Sequence, residues 1–157
     1  MPTAWRITTS PDPDRAFSGD GARTRGGRWN SKGTRLVYAA DYPASAILEQ
    51  LVQTSSVASF PLYHLFRVTL PATMVSVIDP HTLPVTWRDP ARDSAVQAVG
   101  DAWVTARTTP ALQVPSAVAP HHVNYLLNPA HPDFATLTIA APERFALDPR
   151  LLPLRTK

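Results

Sequence analysis

Hydrophobic and polar positions along the chain switch between two periods. "AWRIT" alternates Trp5 and Ile7 against Ala4, Arg6 and Thr8, which predicts an opening strand. Thr9 to Gly27 is polar and rich in Gly, Asp and Pro, and it predicts a long loop, of the kind that is functional or mobile in a compact domain. "RWN" and "RLVYAA" flank the turn sequence "SKGT", which predicts a hairpin. The period then lengthens. "DYPASAILEQLVQ" predicts a helix capped at Asp41 or Tyr42, with Pro43 in its first turn. Ala44, Ile47, Leu48, Leu51 and Val52 form its expected apolar face, and Ser45 and Glu49 lie one turn apart at the edge of that face.

"LYHLFRVTL" returns to alternation, Leu62, His64, Phe66 and Val68 against Tyr63, Leu65, Arg67 and Thr69, and predicts a strand. "MVSVID" predicts another. "DPARDSAVQAVGDAWVTAR" predicts the second helix, capped by Asp89, opened by Pro90, with Ala95, Val96, Val99, Trp103 and Ala106 on one face. "LQVPSAV", "NYLLNP" and "FATLTIA" are further strand candidates between proline turns. The expected class is α+β, with more strand than helix and one core. A length of 157 residues fits a single domain over 1–157, and the 17 prolines fit many short elements joined by stiff turns.

Composition narrows the chemistry. There is no cysteine, so disulfides and thiolate metal sites are excluded. No segment approaches the roughly 20 apolar residues of a membrane span, and the start is not that of a secretory signal. The cytoplasm is the expected compartment. The net charge is +3 and the pI about 9.7. The positive charge is almost all arginine, with Lys32 and Lys157 the only lysines. Arginine suits phosphate recognition because its planar fork can bond two oxygens at once, though a G- and C-rich genome gives the same bias. The charges are scattered, which is a poor footprint for a nucleic-acid surface.

Neither common glycine-rich phosphate loop is present, and Ser116 in "VPSAV" does not sit in a nucleophile elbow. The five histidines show no metal-ligand spacing, so no metal site is expected. Of two glutamates, Glu143 reads as a surface residue and Glu49 as one flanking a helix. Each remaining candidate has an ordinary role open to it. Arg28 fits a turn beside a packed Trp29, and Tyr38 fits a half-buried strand. Ser116 can satisfy a backbone group, and Asn128 and His131 fit an Asx-type turn.

The ensemble is more specific. "RAFSGDGARTRGGRWNSKGTRLVYAADYPASAILEQLV" resembles the RES domain family, carried by Gly26, Gly27, Arg28, Trp29, Asn30, Gly33, Tyr38, Ala40, Ala46 and Glu49. "VPSAVAPHHVNYLLNPAHPDF" looks like that family's second block through Pro115, Ser116, Asn124, Asn128, Pro129, His131 and Pro132. Residues from Ser55 to Thr109 match in general pattern only. The resemblance implies an ADP-ribosyltransferase-like fold, a split antiparallel sheet around an NAD⁺ cleft. It implies the toxin of a toxin–antitoxin pair that consumes NAD⁺ as substrate, with water, phosphate or a protein as acceptor. It also implies an Xre-like helix-turn-helix antitoxin that covers the cleft and binds DNA, in a hetero-oligomeric complex. On that basis Arg28, Tyr38, Glu49 and Ser116 are the expected catalytic group, with Arg28, Asn30, Tyr38, Ser116 and Asn128 expected to bind substrate. An RNA-targeting or nucleic-acid-binding toxin is the alternative from another class.

Overall fold

The computed structural model describes residues 1–54 and 60–151. Ser55, where the weaker part of the family pattern begins, and Lys157 lie outside them. Among the described residues eight strands form one sheet: β1 Thr3–Thr8, β2 Val37–Ala40, β3 Leu62–Thr69, β4 Val75–Val77, β5 Ala111–Pro115, β6 Val123–Leu127, β7 Thr138–Ile139 and β8 Glu143–Ala146. The order is β4-β5-β6-β2-β1-β3-β7, and β8 also pairs with β3. Every pairing is antiparallel except β4 with β5. The helices are α1 Pro13–Ala16, α2 Asp20–Arg25, α3 Pro43–Gln53 and α4 Ser94–Ala106.

Register assigns the side chains to two faces. Val37, Ala39, Tyr125, Leu127, Ala111, Phe66 and Val68 share one face, where Phe17 and Leu137 complete a core cluster. On the other face α4 covers β5 and β6. Val96, Gly100 and Trp103 recur at helical spacing there and bury Leu112, Val114 and Leu126. α3 lies against β1 and β2 on that same face, where Ala46 packs in one cluster with Ile7, Ala40, Tyr63 and Leu65. Between the two helices the sheet presents Tyr38 and Asn124, which face the polar edge of α3 across a hollow. The strand β3 is buried on both faces, Tyr63 and Leu65 on one and Phe66 and Val68 on the other.

Several expectations are corrected. The polar stretch from Thr9 to Gly27 is not a bare loop, because α1 and α2 lie within it, each a turn or two long. Asp12 caps α1 by accepting from the Asp14 N–H at 3.0 Å. The hairpin does not form. Both edges of β2 are taken, by β1 and by β6, so no strand at "RWN" can pair with it. The Trp29 segment is tied instead to α4. Gln97 Nε2 donates to the Gly27 carbonyl at 2.9 Å, and the Ser31 hydroxyl donates to Asp101 at 2.5 Å. α4 starts later than Pro90, and Asp93, not Asp89, caps it by accepting from Ala95 N at 2.7 Å. Its face also differs: Ala95 and Ala106 are exposed. "FATLTIA" begins within a 3-10 turn, Pro132–Thr136, leaving a two-residue strand. Strand β8 was not expected, although Glu143 within it is exposed as anticipated.

The face of α3 is rotated from the expected one. Ser45 and Ala46 are the buried residues, Ile47 and Leu51 are partly buried, and Leu48 and Val52 are exposed at 44% and 62%. The helix turns Ala46, Glu49, Gln50 and Gln53 toward a hollow in the protein. Those positions are spaced i, i+3, i+4 and i+7, so a polar stripe faces inward.

Gly100 tests how tightly the Trp29 segment seats on α4. A Cβ there would collide with the Trp29 carbonyl. Gly100→Ala gains about 1 kcal/mol of helix propensity and still destabilises the fold by about 2 kcal/mol or more through overpacking. Thermal denaturation should show a fall of roughly 4–8 °C. An unchanged or raised midpoint would contradict this packing.

Candidate active site

The hollow beneath α3 opens into a cleft of about 550 Å³. Its origin lies in the pairing of β1 with β2. The two strands meet at one register position only, Trp5 opposite Ala40. Arg6 fills the gap where they part. Its Nε donates to the Ala16 carbonyl at 2.7 Å and its Nη1 to the Tyr38 carbonyl at 2.9 Å. The guanidinium lies 5.9 Å from the Phe17 ring centroid. Burial lowers its pKa to about 10, so it stays charged at neutral pH. Among the described residues no carboxylate pairs with it. A desolvated cation without a counterion is a ready anion site, because an anion would relieve part of the desolvation cost.

Arg15, Arg25, Arg28 and Arg92 line the same cleft, against two carboxylates, Asp20 and Glu49. Asp20 is already shared between Arg23 and Arg35, each at 3.3 Å. The cleft is therefore electropositive, apart from the one carboxylate on its α3 wall. Charges of one sign in a concave, partly desolvated space focus the field on an incoming anion.

Glu49 is held from the sheet side. Asn124 Nδ2 donates to its Oε1 at 2.8 Å, and the Ser116 hydroxyl donates to the same oxygen at 3.1 Å. Ser116 is 1% exposed, and its oxygen also accepts from Val118 N at 3.3 Å and Ala119 N at 3.0 Å. That hydroxyl is fully committed, so Ser116 touches Glu49 and not the open cleft. The 116–122 loop is anchored to α3 a second time. His122 Nδ1 lies 3.0 Å from Asp41 Oδ2 and 3.3 Å from Ser45 Oγ.

Tyr38 lines the cleft beside Glu49, and its hydroxyl is taken up by bonds within the protein. The hydroxyl donates to Asn30 Oδ1 at 2.6 Å and accepts from Trp29 N at 3.1 Å. Gly27 makes room for that hydroxyl, where any Cβ would strike it. Asn30 is completely buried. Its amide donates to the carbonyls of Ala22, Ser31 and Thr34, so it ties the Arg28 segment together and does not line the cleft. Arg28 does line it, with Nη1 donating to the carbonyls of Trp87 and Asp89, both at 2.7 Å. Asn128 stands apart from this group. It is buried, and its Oδ1 accepts from Ala130 N at 3.0 Å, the expected Asx turn. Of the sequence candidates, the fold brings Arg28, Tyr38, Glu49 and Ser116 together, and gives Asn30 and Asn128 internal bonds. Among the described residues no group of three His, Asp or Glu side chains is placed to hold a metal ion.

Two residues of this site carried no expected role, Arg6 and Asn124. An arginine in an alternating strand reads as solvent-facing, and only the parting of β1 from β2 buries it. Asn124 belongs to the second block of the family pattern, yet its contact with Glu49 spans 75 residues.

Known proteins resemble this chain along most of its length. The model of the RES domain matches residues 3–148. The chain belongs to the RES domain family. It is 35% identical over 136 residues to a protein of Yersinia enterocolitica named Toxin Res, covering 86% of this chain and 90% of that one. It is 36% identical over 155 residues to a Sphingobium protein named Prs ADP-ribosylating toxin, covering 94% and 95%. A chain in the crystal structure of the M. tuberculosis MbcT–MbcA toxin–antitoxin complex superposes with a TM-score of 0.68 at 22% identity, covering 99% of this chain and 89% of that one. That likeness shows a shared fold, and the α+β, ADP-ribosyltransferase-like architecture is the one expected.

Burial makes Tyr38 a marker for this site. Desolvation raises the phenol above its ordinary value of 10.0 despite the opposing hydrogen bond from Trp29. The folded state thus holds a proton that the unfolded chain releases above pH 10, so Tyr38 contributes stability below that pH that is lost as pH rises past it. Chemical denaturation between pH 9 and 11 should show stability falling with pH in the wild type and falling less steeply in Tyr38→Phe. Equal slopes would mean that this hydroxyl is not buried in solution.

Proposed function

We propose that the chain is a single-domain RES toxin whose cleft binds NAD⁺ and breaks the nicotinamide–ribose bond. The observation that carries this reading is one carboxylate, Glu49, fixed by two donors on the wall of a cleft lined by arginines and containing the unpaired Arg6. NAD⁺ supplies what such a site would hold. Its diphosphate answers the arginines, and its glycosidic bond answers the single carboxylate. When the C–N bond breaks, nicotinamide leaves with the bonding electrons as a neutral molecule, so no acid is needed. Positive charge develops on the ribose ring. Glycosidases that expel an oxygen leaving group need two carboxylates, whereas this reaction needs one. Glu49 accepts a hydrogen bond from a ribose hydroxyl and stabilises the developing charge. Arg6 and Arg28 hold the diphosphate, and the Tyr38 ring packs against the cationic nicotinamide. Ser116 works through Glu49. Water, losing a proton, or phosphate then captures the ribose carbon, which makes the protein an NAD⁺ glycohydrolase or phosphorylase.

A second reading, transfer of ADP-ribose to a protein, is favoured by the name of the Sphingobium relative, which is similar along nearly its whole length. An antitoxin as partner is supported by the complex in which the superposed chain lies, and a helix-turn-helix protein of the Xre type is the candidate.

Purified, antitoxin-free protein should turn over many equivalents of NAD⁺, and a phosphate requirement would name the acceptor. Glu49→Gln should lower kcat by about 10²–10³ while its melting temperature stays near that of the wild type. Folded wild-type protein without turnover, but with labelled ADP-ribose appearing on a protein in lysate, would select the transferase reading. Neither activity would sink both.

A further inference from the structure

Among the described residues, Asn124 Oδ1 is the one buried side-chain oxygen or nitrogen without a hydrogen-bond partner. The residue is 8% exposed and sits in β6 between Ala40 of β2 and Val114 of β5. Those two neighbours are 2% and 1% exposed, and the side chain between them reaches the edge of the cleft beside Glu49. Burying an acceptor without a donor destabilises a fold, and a leucine of the same branched outline would carry no such penalty. Turning the amide over does not relieve it, because Oδ1 would then face the Glu49 oxygen that Nδ2 now serves, acceptor against acceptor.

The other half of the amide explains the residue. Asn124 Nδ2 and the Ser116 hydroxyl converge on Oε1 of Glu49, at 2.8 and 3.1 Å, while Oε2 receives no donor among the described residues. The carboxylate is thus divided into an anchored oxygen and one with its acceptor capacity intact. We propose that Asn124 is a positioning residue that fixes the Glu49 side chain so that Oε2 is the oxygen offered to the ribose hydroxyl. The inference rests on the NAD⁺-cleaving reading for what Oε2 meets, but not for the positioning itself. Ser116 alone cannot do this, because one donor leaves the carboxylate free to swing about it. The two donors come from opposite ends of the Ser116-to-Asn124 segment, so together they also fix the tilt of the carboxylate plane.

Two variants test it. Asn124→Leu removes the donor and the orphaned acceptor together. It should lower kcat for NAD⁺ roughly 10- to 100-fold through misplacement of Glu49, move KM less than about threefold, and leave the melting temperature unchanged or raised. Asn124→Asp keeps the shape but sets a second carboxylate against Glu49, so its kcat should fall below that of the leucine variant. A packing role gives the reverse order, the near-isosteric aspartate being the better tolerated. Crystal structures of the two variants read the positioning without any reaction, and Glu49 should leave its present rotamer in both. An unmoved Glu49, an aspartate variant with wild-type kcat, or a melting temperature falling in step with kcat in the leucine variant would overturn the proposal. Wild-type protein without NAD⁺ turnover, but with Glu49 displaced in the variants, would sink the reaction and keep the positioning.

Discussion

A charged side chain stands where two strands part, and the cleft follows from that. β1 and β2 pair at Trp5 and Ala40 and then diverge, and the Arg6 guanidinium takes the space that further pairing would have closed. Two backbone carbonyls accept from it in place of a carboxylate. That arrangement holds the split open without neutralising the charge. Three elements meet at the split. α1 supplies one of the two carbonyls, β2 supplies the other, and α3 crosses above with its polar stripe turned inward.

The second constraint is the anchoring of α3 to the segment before β6. Helix and loop meet twice, at Ser116 with Glu49 and at His122 with Ser45 and Asp41. Neither contact is apolar. A helix that packed by its oily face alone would have buried Leu48 and Val52 and turned Glu49 to solvent. The polar contacts rotate it the other way, and the exposed Leu48 and Val52 are the consequence. The stability lost by leaving those residues outside is the counterpart of a carboxylate held in a defined place.

Much of this was legible in the sequence where the signal was local. The start of α3 followed from Pro43, β3 from its alternation, and β5 and β6 from short apolar runs between turn residues. Where contacts at long sequence separation decide, the pattern misled. The expected hairpin had good turn chemistry at Ser31–Thr34, but β6, some 85 residues later, takes the edge of β2 that the hairpin needed. α1 and α2 are too short to show a period. The face of α3 was misassigned because hydrophobicity ranks Leu48 above Ser45, whereas the fold spends Ser45 and Glu49 on hydrogen bonds. For the site, the family resemblance named Arg28, Tyr38, Glu49 and Ser116, and the fold gathers them. It could not show that the Ser116 hydroxyl donates to Glu49 instead of facing the cleft, or that Asn30 and Asn128 spend their polar atoms inside the protein. Arg6 and Asn124 were invisible as partners because each acts across strands that are distant in sequence.

The most direct measurement is a crystal structure of the Glu49→Gln protein with intact NAD⁺. The nicotinamide ribose is expected against residue 49, and the diphosphate against Arg6 in the split between β1 and β2. A dinucleotide bound elsewhere, or a phosphate that leaves Arg6 bonded only to Ala16 and Tyr38, would contradict the reading of this cleft as the place where NAD⁺ is cleaved.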